Sequence, residues 1–191
     1  MYQRVPGLVL TVVLALSAAA PARAADDYGI DPVHSSVTFK IGHLGISSIY
    51  GRFNDVAGGF TLDADDAGKC LFGLSLKTEG VNTNNDKRDE HLRSPDFFNA
   101  KQFPSISFKS TSVKAIKDGY EVTGDLTLHG VTKAVTFKLM GGKKAEFPKG
   151  TSRTGFTTEL TIKRSDFGMD KFTEMLSDDV VIGIGFEGTK K

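Results

Sequence analysis

The chain has no tryptophan and a single cysteine, Cys70. One thiol cannot form an intramolecular disulfide, so the fold has to stand on its hydrophobic core. Cys70 falls on the apolar phase of "CLFGLSL" (70–76) and reads as a small buried hydrophobe rather than a reactive thiol. Charge of one sign is also missing. Lys and Arg number 24 against 23 Asp and Glu, a formal charge of +1. No bulk field draws this chain to nucleic acid or to an anionic membrane. The four histidines, His34, His43, His91 and His129, are scattered. There is no H-x-H, H-E-x-x-H or C-x-x-C spacing, so no metal site is expected. No G-x-S-x-G elbow, phosphate loop or dinucleotide fingerprint occurs, and "GGKK" (141–144) reads as loop. No internal repeat or long amphipathic helix is present, which excludes βαβ architecture and leaves one domain.

What is present begins with a leader. Arg4 is a short basic region, "LVLTVVLALSAAA" (8–20) is an apolar run, and "ARA" (22–24) is an A-x-A cleavage site. The run is too short to span a bilayer, so residues 1–24 read as a secretory signal peptide cut between Ala24 and Ala25. Cleavage removes Arg4 and Arg23 and leaves residues 25–191 as the mature domain. An exported, periplasmic protein is expected.

The mature sequence alternates with period two almost throughout. "SVTFKIGH" (36–43) places Val37, Phe39, Ile41 and His43 on one face. "YGRFNDVAGGFTLD" (50–63) is a second strand, with Phe53, and Gly58-Gly59 marks a bulge or bend. "KCLFGLSLKTEG" (69–80) aligns Cys70, Phe72, Leu74 and Leu76, and "PSISFKSTSVKAI" (104–116) aligns Ile106 and Phe108. "KDG" (117–119) is a hairpin turn. "YEVTGDLTLHG" (120–130) aligns Val122, Leu126 and Leu128, and "VTKAVTFKLMG" (131–141) aligns Val135, Phe137 and Leu139. "GGKKAEFPKGTS" (141–152) reads as a polar loop. "TGFTTELTIKR" (154–164) offers Phe156, Leu160 and Ile162, and "DDVVIGIGFEG" (178–188) offers Val180, Ile182, Ile184 and Phe186. About eight strands joined by short turns make an all-β, antiparallel fold, a barrel in preference to a sandwich. A barrel of that size holds side chains or one small ligand.

One stretch breaks the pattern. "NNDKRDEHLRSPDFFNAKQFP" (84–104) has helical composition, with Asp89 and Arg93 spaced to pair across one turn. "SPDF" (94–97) predicts a second helix start, with Ser94 as N-cap and Pro95 at the first helical position. Neighbouring residues on a helix diverge, so Asp89, Glu90 and His91 do not converge as acid and base. The segment reads as a helical flap with a solvated charged face and apolar Phe97, Phe98 and Phe103 beneath.

Four ordered motifs then carry a resemblance. "YGIDPVHSSVTFKIGHLGISSIYGRF" (28–53), "RDEHLRSPDFFNAKQFPSISFKS" (88–110), "VTGDLTLHGVTK" (122–133) and "RSDFGM" (164–169) resemble the YceI-like family of polyisoprenoid-binding proteins. The resemblance runs from Tyr28 to about Glu187. It implies a lipocalin-like barrel of the bacterial envelope, with a function under envelope stress, that holds an amphiphile in a long interior pocket without catalytic residues. The lining expected for that pocket, mostly from the inward strand phases and the flap, is Phe39, Ile41, His43, Phe53, Phe72, Leu74, Leu76, Phe97, Phe98, Phe103, Ile106, Phe108, Val122, Leu126, Phe137, Phe156, Leu160, Phe167, Ile182 and Ile184. Two positions depart from the family pattern. Tyr28 stands where tryptophan is common, and "MDKFTEMLSDDV" (169–180) is this chain's own.

No cofactor is expected beyond a bound isoprenoid, quinone-like or fatty-acyl lipid. The expected partner is that hydrophobic small molecule, with no nucleic acid and no stable membrane insertion; a homodimer through an exposed strand edge stays open. Two rival readings follow from the same residues. An enzyme acting on a barrel-bound lipid would use His43 or His91 with Asp31 or Asp89. A structural interaction module would have a solid core.

Overall fold

The computed structural model of the protein describes residues 24–191. The leader expected at residues 1–24 lies, apart from Ala24, outside the described residues. Ten strands form one antiparallel sheet: β1 (Asp26–His43), β2 (Ser47–Phe53), β3 (Val56–Leu62), β4 (Leu71–Lys77), β5 (Val81–Asn82), β6 (Ser105–Ile116), β7 (Gly119–Leu128), β8 (Val131–Glu146), β9 (Ser152–Lys163) and β10 (Leu176–Lys190). β10 pairs back onto β1 and closes the sheet. β2 and β3 run end to end along β1, taking Val37–His43 and Asp26–Gly29 respectively. β5 extends the line of β4 onto β2. The ten segments therefore make an eight-stranded barrel with one short helix, α1 (Asp86–Arg93). Closure pairs the edges of β1 and β10 with each other.

Several local expectations are corrected. β1 starts at Asp26 rather than near residue 36, because Tyr28 and Gly29 are bonded to β3 on one side and β10 on the other. The break in the second strand comes at Asn54–Asp55, while Gly58 and Gly59 stay in register with Leu74 and Gly73. Gly58 is there for a close approach. It has φ +142, and a Cβ would lie 2.2 Å from the Gly73 carbonyl oxygen. β8 runs on to Glu146, so most of the expected loop at 141–152 is strand. The turns at 117–118 and 129–130 close tight hairpins as expected. Left-handed His129 and Gly130 supply the second one.

The interior is layered. At the end where β1 begins, Tyr28, Phe60, Phe72, Phe156 and Phe186 form one aromatic cluster. Tyr28 stacks on Phe60 at 4.9 Å, and Phe156 meets Phe60 and Phe72 edge-on at 5.6 and 5.5 Å. Each such pair contributes about 0.5–1.5 kcal/mol beyond burial. Cys70 is buried here, as expected. Asp26 straps the same end shut, accepting from Lys144 at 2.8 Å and Lys190 at 2.6 Å. Those two ammonium groups, Lys144 first, hold its carboxyl down at about 2. The opposite end of the barrel carries α1 and is not filled in this way.

Candidate ligand-binding tunnel

A cavity of about 390 Å³ runs up the barrel from this aromatic floor to the α1 end. Its wall is the inward phase of the strands. Phe39 and Ile41 from β1, Leu74 and Leu76 from β4, Ile106 and Phe108 from β6, and Ile182 and Ile184 from β10 all line it. So do Phe53, Phe72, Leu126, Phe137, Leu160, His43, Phe97 and Phe98. Phe60, Phe72, Leu139 and Phe186 reach it at the floor.

Four expected lining residues do not line it. Val122 and Phe156 point inward but lie below the floor, inside the aromatic plug. Phe103 lies outside the wall, its ring 4.7 Å from His129 and against Gly130 of the β7–β8 turn. Phe167 ends a short 3-10 helix (Arg164–Phe167), buried in the core with its carbonyl accepting from His129 Nδ1 at 3.0 Å. The solid-core reading fails over the upper barrel and holds only for the plug.

The mouth is built by two segments that meet. From one side comes α1 with the coil after it. Asn85 caps the helix, its Oδ1 accepting from Arg88 N at 3.0 Å. The helix charges bolt it to the barrel. Buried Asp89 accepts from Thr83 N at 2.8 Å, Arg88 Nε donates to Thr83 Oγ1 at 2.7 Å, and Arg93 Nη2 donates to the Val81 carbonyl at 3.0 Å. Asp89 and Arg93 thus serve different partners and do not pair with each other. The second helix expected at Ser94 is absent. Ser94 instead ends α1, and Phe98 N folds back to the Leu92 carbonyl at 2.9 Å. That turn lays Phe98 against Phe53, edge-on at 5.5 Å, beneath the helix.

From the other side comes the coil at 168–175, which overlaps the stretch 169–180 expected to depart from the family pattern. Arg164 anchors it. Its buried guanidinium donates to the carbonyls of Met169 (2.7 Å), Lys171 (2.7 Å) and Ser177 (3.0 Å). The coil brings Phe172 across the opening, where it stacks on Phe97 at 5.4 Å. His91 sits edge-on to both, at 5.0 Å from Phe97 and 5.6 Å from Phe172. The mouth is therefore closed by an aromatic clasp of one residue from the coil and two from the flap. Phe172, Met169 and Met175 line the tunnel although no periodic pattern marked them.

The acid–base pairs of the enzyme reading do not form. Asp31 lies near the plugged end and His43 at the mouth, a dozen residues apart on a bulged strand, which is roughly 30–40 Å. Asp31 is instead bonded to His34 at 2.8 Å and Arg153 at 2.7 Å, partners that hold its carboxyl far below the ordinary range. Asp89 is spent on Thr83. His91 faces Asp96 instead, Nε2 to Oδ2 at 3.2 Å. Among the described residues, no group of three or more His, Cys, Asp or Glu side chains converges on a metal position.

A closed antiparallel barrel, plugged at one end and hollow to the other, defines the class of small lipocalin-like barrels with an apolar interior site. Within it, the match to the YceI-like domain over residues 28–188 places this chain in the YceI-like family. Protein YceI of Escherichia coli (strain UMN026) is 42% identical over 171 residues, covering 87% of this chain and 88% of that protein. The Campylobacter jejuni YceI protein has a solved structure with TM-score 0.70 and 34% identity, covering 76% of this chain and 87% of that one. A polyisoprenoid binding domain from Saccharophagus degradans, implicated in plant cell wall breakdown, shares the fold with TM-score 0.64 at 18% identity, covering 86% of this chain and 98% of that one.

Proposed function

We propose that the protein is an exported, non-enzymatic binder and carrier of a long-chain amphiphile, a polyisoprenoid or a similar quinone-like or fatty-acyl lipid. The single observation that carries the reading is the tunnel, apolar from the floor to the aromatic clasp. A tail buried from water gains about 0.8 kcal/mol per methylene, with no need for directed polar contacts. A wall made mostly of apolar side chains suits a tail. Polar side chains gather at the mouth, where His43 and Arg88 lie beside the clasp and His91 belongs to it. The tail then points to the plug and the head to the mouth. The leader read at residues 1–24 supports work in the periplasm, where a lipid crossing water needs such a sheath. The description of the Saccharophagus domain as polyisoprenoid-binding supports the ligand class by fold likeness.

Titration of the mature protein with a fluorescent polyene fatty acid, with a long isoprenoid alcohol as competitor, tests the reading. Saturable one-to-one uptake, displacement by the isoprenoid and recovery of both compounds chemically unchanged are the expected results. No uptake would overturn binding, and a converted lipid whose conversion stops in a His91→Ala variant would replace the carrier with an enzyme.

A further inference from the structure

Beside the tunnel mouth lies an apolar surface that extends beyond the tunnel wall. The β1–β2 turn holds Leu44 and Ile46 out into solvent, 51% and 81% exposed, and the coil beside it exposes Phe172 (41%) and Met175 (46%). The two pieces are joined, since Leu44 N donates to the Met175 carbonyl at 2.7 Å. Tyr50, 68% exposed, stands on the outer face of the same hairpin.

Three features distinguish this patch from scattered surface apolars. First, it is charge-free at its tip. "GHLGISSIYG" (42–51) contains no Asp, Glu, Lys or Arg in a chain where a quarter of residues are charged. By contrast exposed Val33 and Phe147 sit around the Asp31–Arg153–Glu187 ion cluster. Second, the backbone is strained to present it. Leu44 has φ +52 and Phe172 has φ +58, a region that disfavours bulky side chains. Leu44-Gly45 takes left-handed angles at both positions, where asparagine-glycine is the favoured pair. Third, it is continuous with the tunnel. Phe172 and Met175 are at once exposed and part of the tunnel wall, and half-buried Ile49, next to Tyr50, also lines the tunnel.

We propose that this rim docks on the surface of a lipid bilayer, with Leu44 and Ile46 entering the interface and Tyr50 lying at headgroup depth. A charge-free apolar tip with a flanking tyrosine suits the interfacial zone, where charged side chains are costly and amphipathic rings collect. The coil's own charges, Asp170, Lys171 and Glu174, are of mixed sign, so neutral lipid suffices. Docked this way, the mouth lies against the membrane, and a tail passes between bilayer and tunnel without crossing water. That consequence rests on the tail-binding reading; the docking itself does not.

The test is co-sedimentation of the mature protein with neutral vesicles of phosphatidylcholine and phosphatidylethanolamine. The comparison is a Leu44→Asn/Ile46→Asp variant, with Val33→Asp as a control elsewhere on the surface. Leu44→Asn completes an asparagine-glycine turn, so the variant is expected to fold and to melt no lower. Wild type and Val33→Asp should sediment with vesicles, at high salt as well as low. The double variant should bind vesicles at least tenfold more weakly while taking up the polyene fatty acid from solution unchanged. Equal sedimentation of wild type and double variant, or none by wild type, overturns the docking. A wild-type dimer that the double variant dissociates, without vesicle binding, overturns it in favour of a second copy. If no protein takes up the fatty acid yet only the double variant leaves the vesicles, docking stands and the tunnel reading falls.

Discussion

Phe72→Ala should lengthen the chain that the tunnel prefers. Phe72 is the hinge of the argument because it belongs to both the floor and the plug. Its ring lies 5.9 Å from Phe60, 5.5 Å from Phe156 and 5.9 Å from Tyr120. Phe156 and Tyr28 remain behind it when the ring goes, so the truncation adds a chamber without opening the far end. The empty protein should lose about 3–5 kcal/mol of stability, the usual cost of a buried phenylalanine truncated to alanine. The vacated space takes about four methylenes, and at about 0.8 kcal/mol each a longer tail regains roughly 3 kcal/mol. That corresponds to a preference shifted by about a hundredfold towards the longer of two chains differing by four carbons. Competition between two such fatty acids, read by native mass spectrometry, measures it. The longer chain should also restore much of the lost melting temperature. A folded variant with the wild-type length profile would refute the floor, and with it the orientation of tail to plug and head to mouth.

Phe97→Asp should weaken uptake of the polyene fatty acid by tenfold or more, since it sets a charge in the clasp against Phe172. His91→Ala should change the same titration by less than about threefold, since its partner Asp96 is itself half-exposed and the bond is at the surface. Arg164→Leu should cost about 3–5 kcal/mol by denaturant melt, because it removes a buried guanidinium that serves one buried and two part-buried carbonyls and releases the coil that carries Phe172. Asp26 predicts a pH dependence. Its carboxyl titrates at about 2 in the fold, below its unfolded value of 3.8. Its contribution is therefore present above about pH 4 and lost as pH falls towards 2. Asp26→Asn should lower the melting temperature at pH 7 and by much less near pH 2, where the carboxyl is about half protonated.

Period-two alternation made the barrel legible, because a strand buried on one face repeats every second residue. It told inside from outside and said nothing of depth. Phe72 and Phe156 carry the same inward signal, yet one faces the tunnel and the other lies under it. Phe103 and Phe167 were misplaced because each sits outside a strand, where its direction is set by one tertiary neighbour, the ring of His129 for Phe103 and the core for Phe167. The flap was legible as a helix with a structural charged face, and Arg88 and Asp89 bear this out on Thr83. Its partner in the clasp was not. Phe172 lies in an aperiodic coil held by a buried arginine, and neither feature leaves a repeating mark. The strained Leu44 turn was equally silent, since a leucine before a glycine gives no sign of a left-handed backbone.

The measurement that bears most directly on the tunnel is native mass spectrometry of the protein expressed from its full sequence in a bacterial host and purified without detergent. A stoichiometric hydrophobic adduct, released by organic solvent and fragmenting as an isoprenoid, quinone or acyl chain, is the predicted result. A bare protein mass that stays bare on exposure to isoprenoids and fatty acids, with no rise in melting temperature, would contradict it.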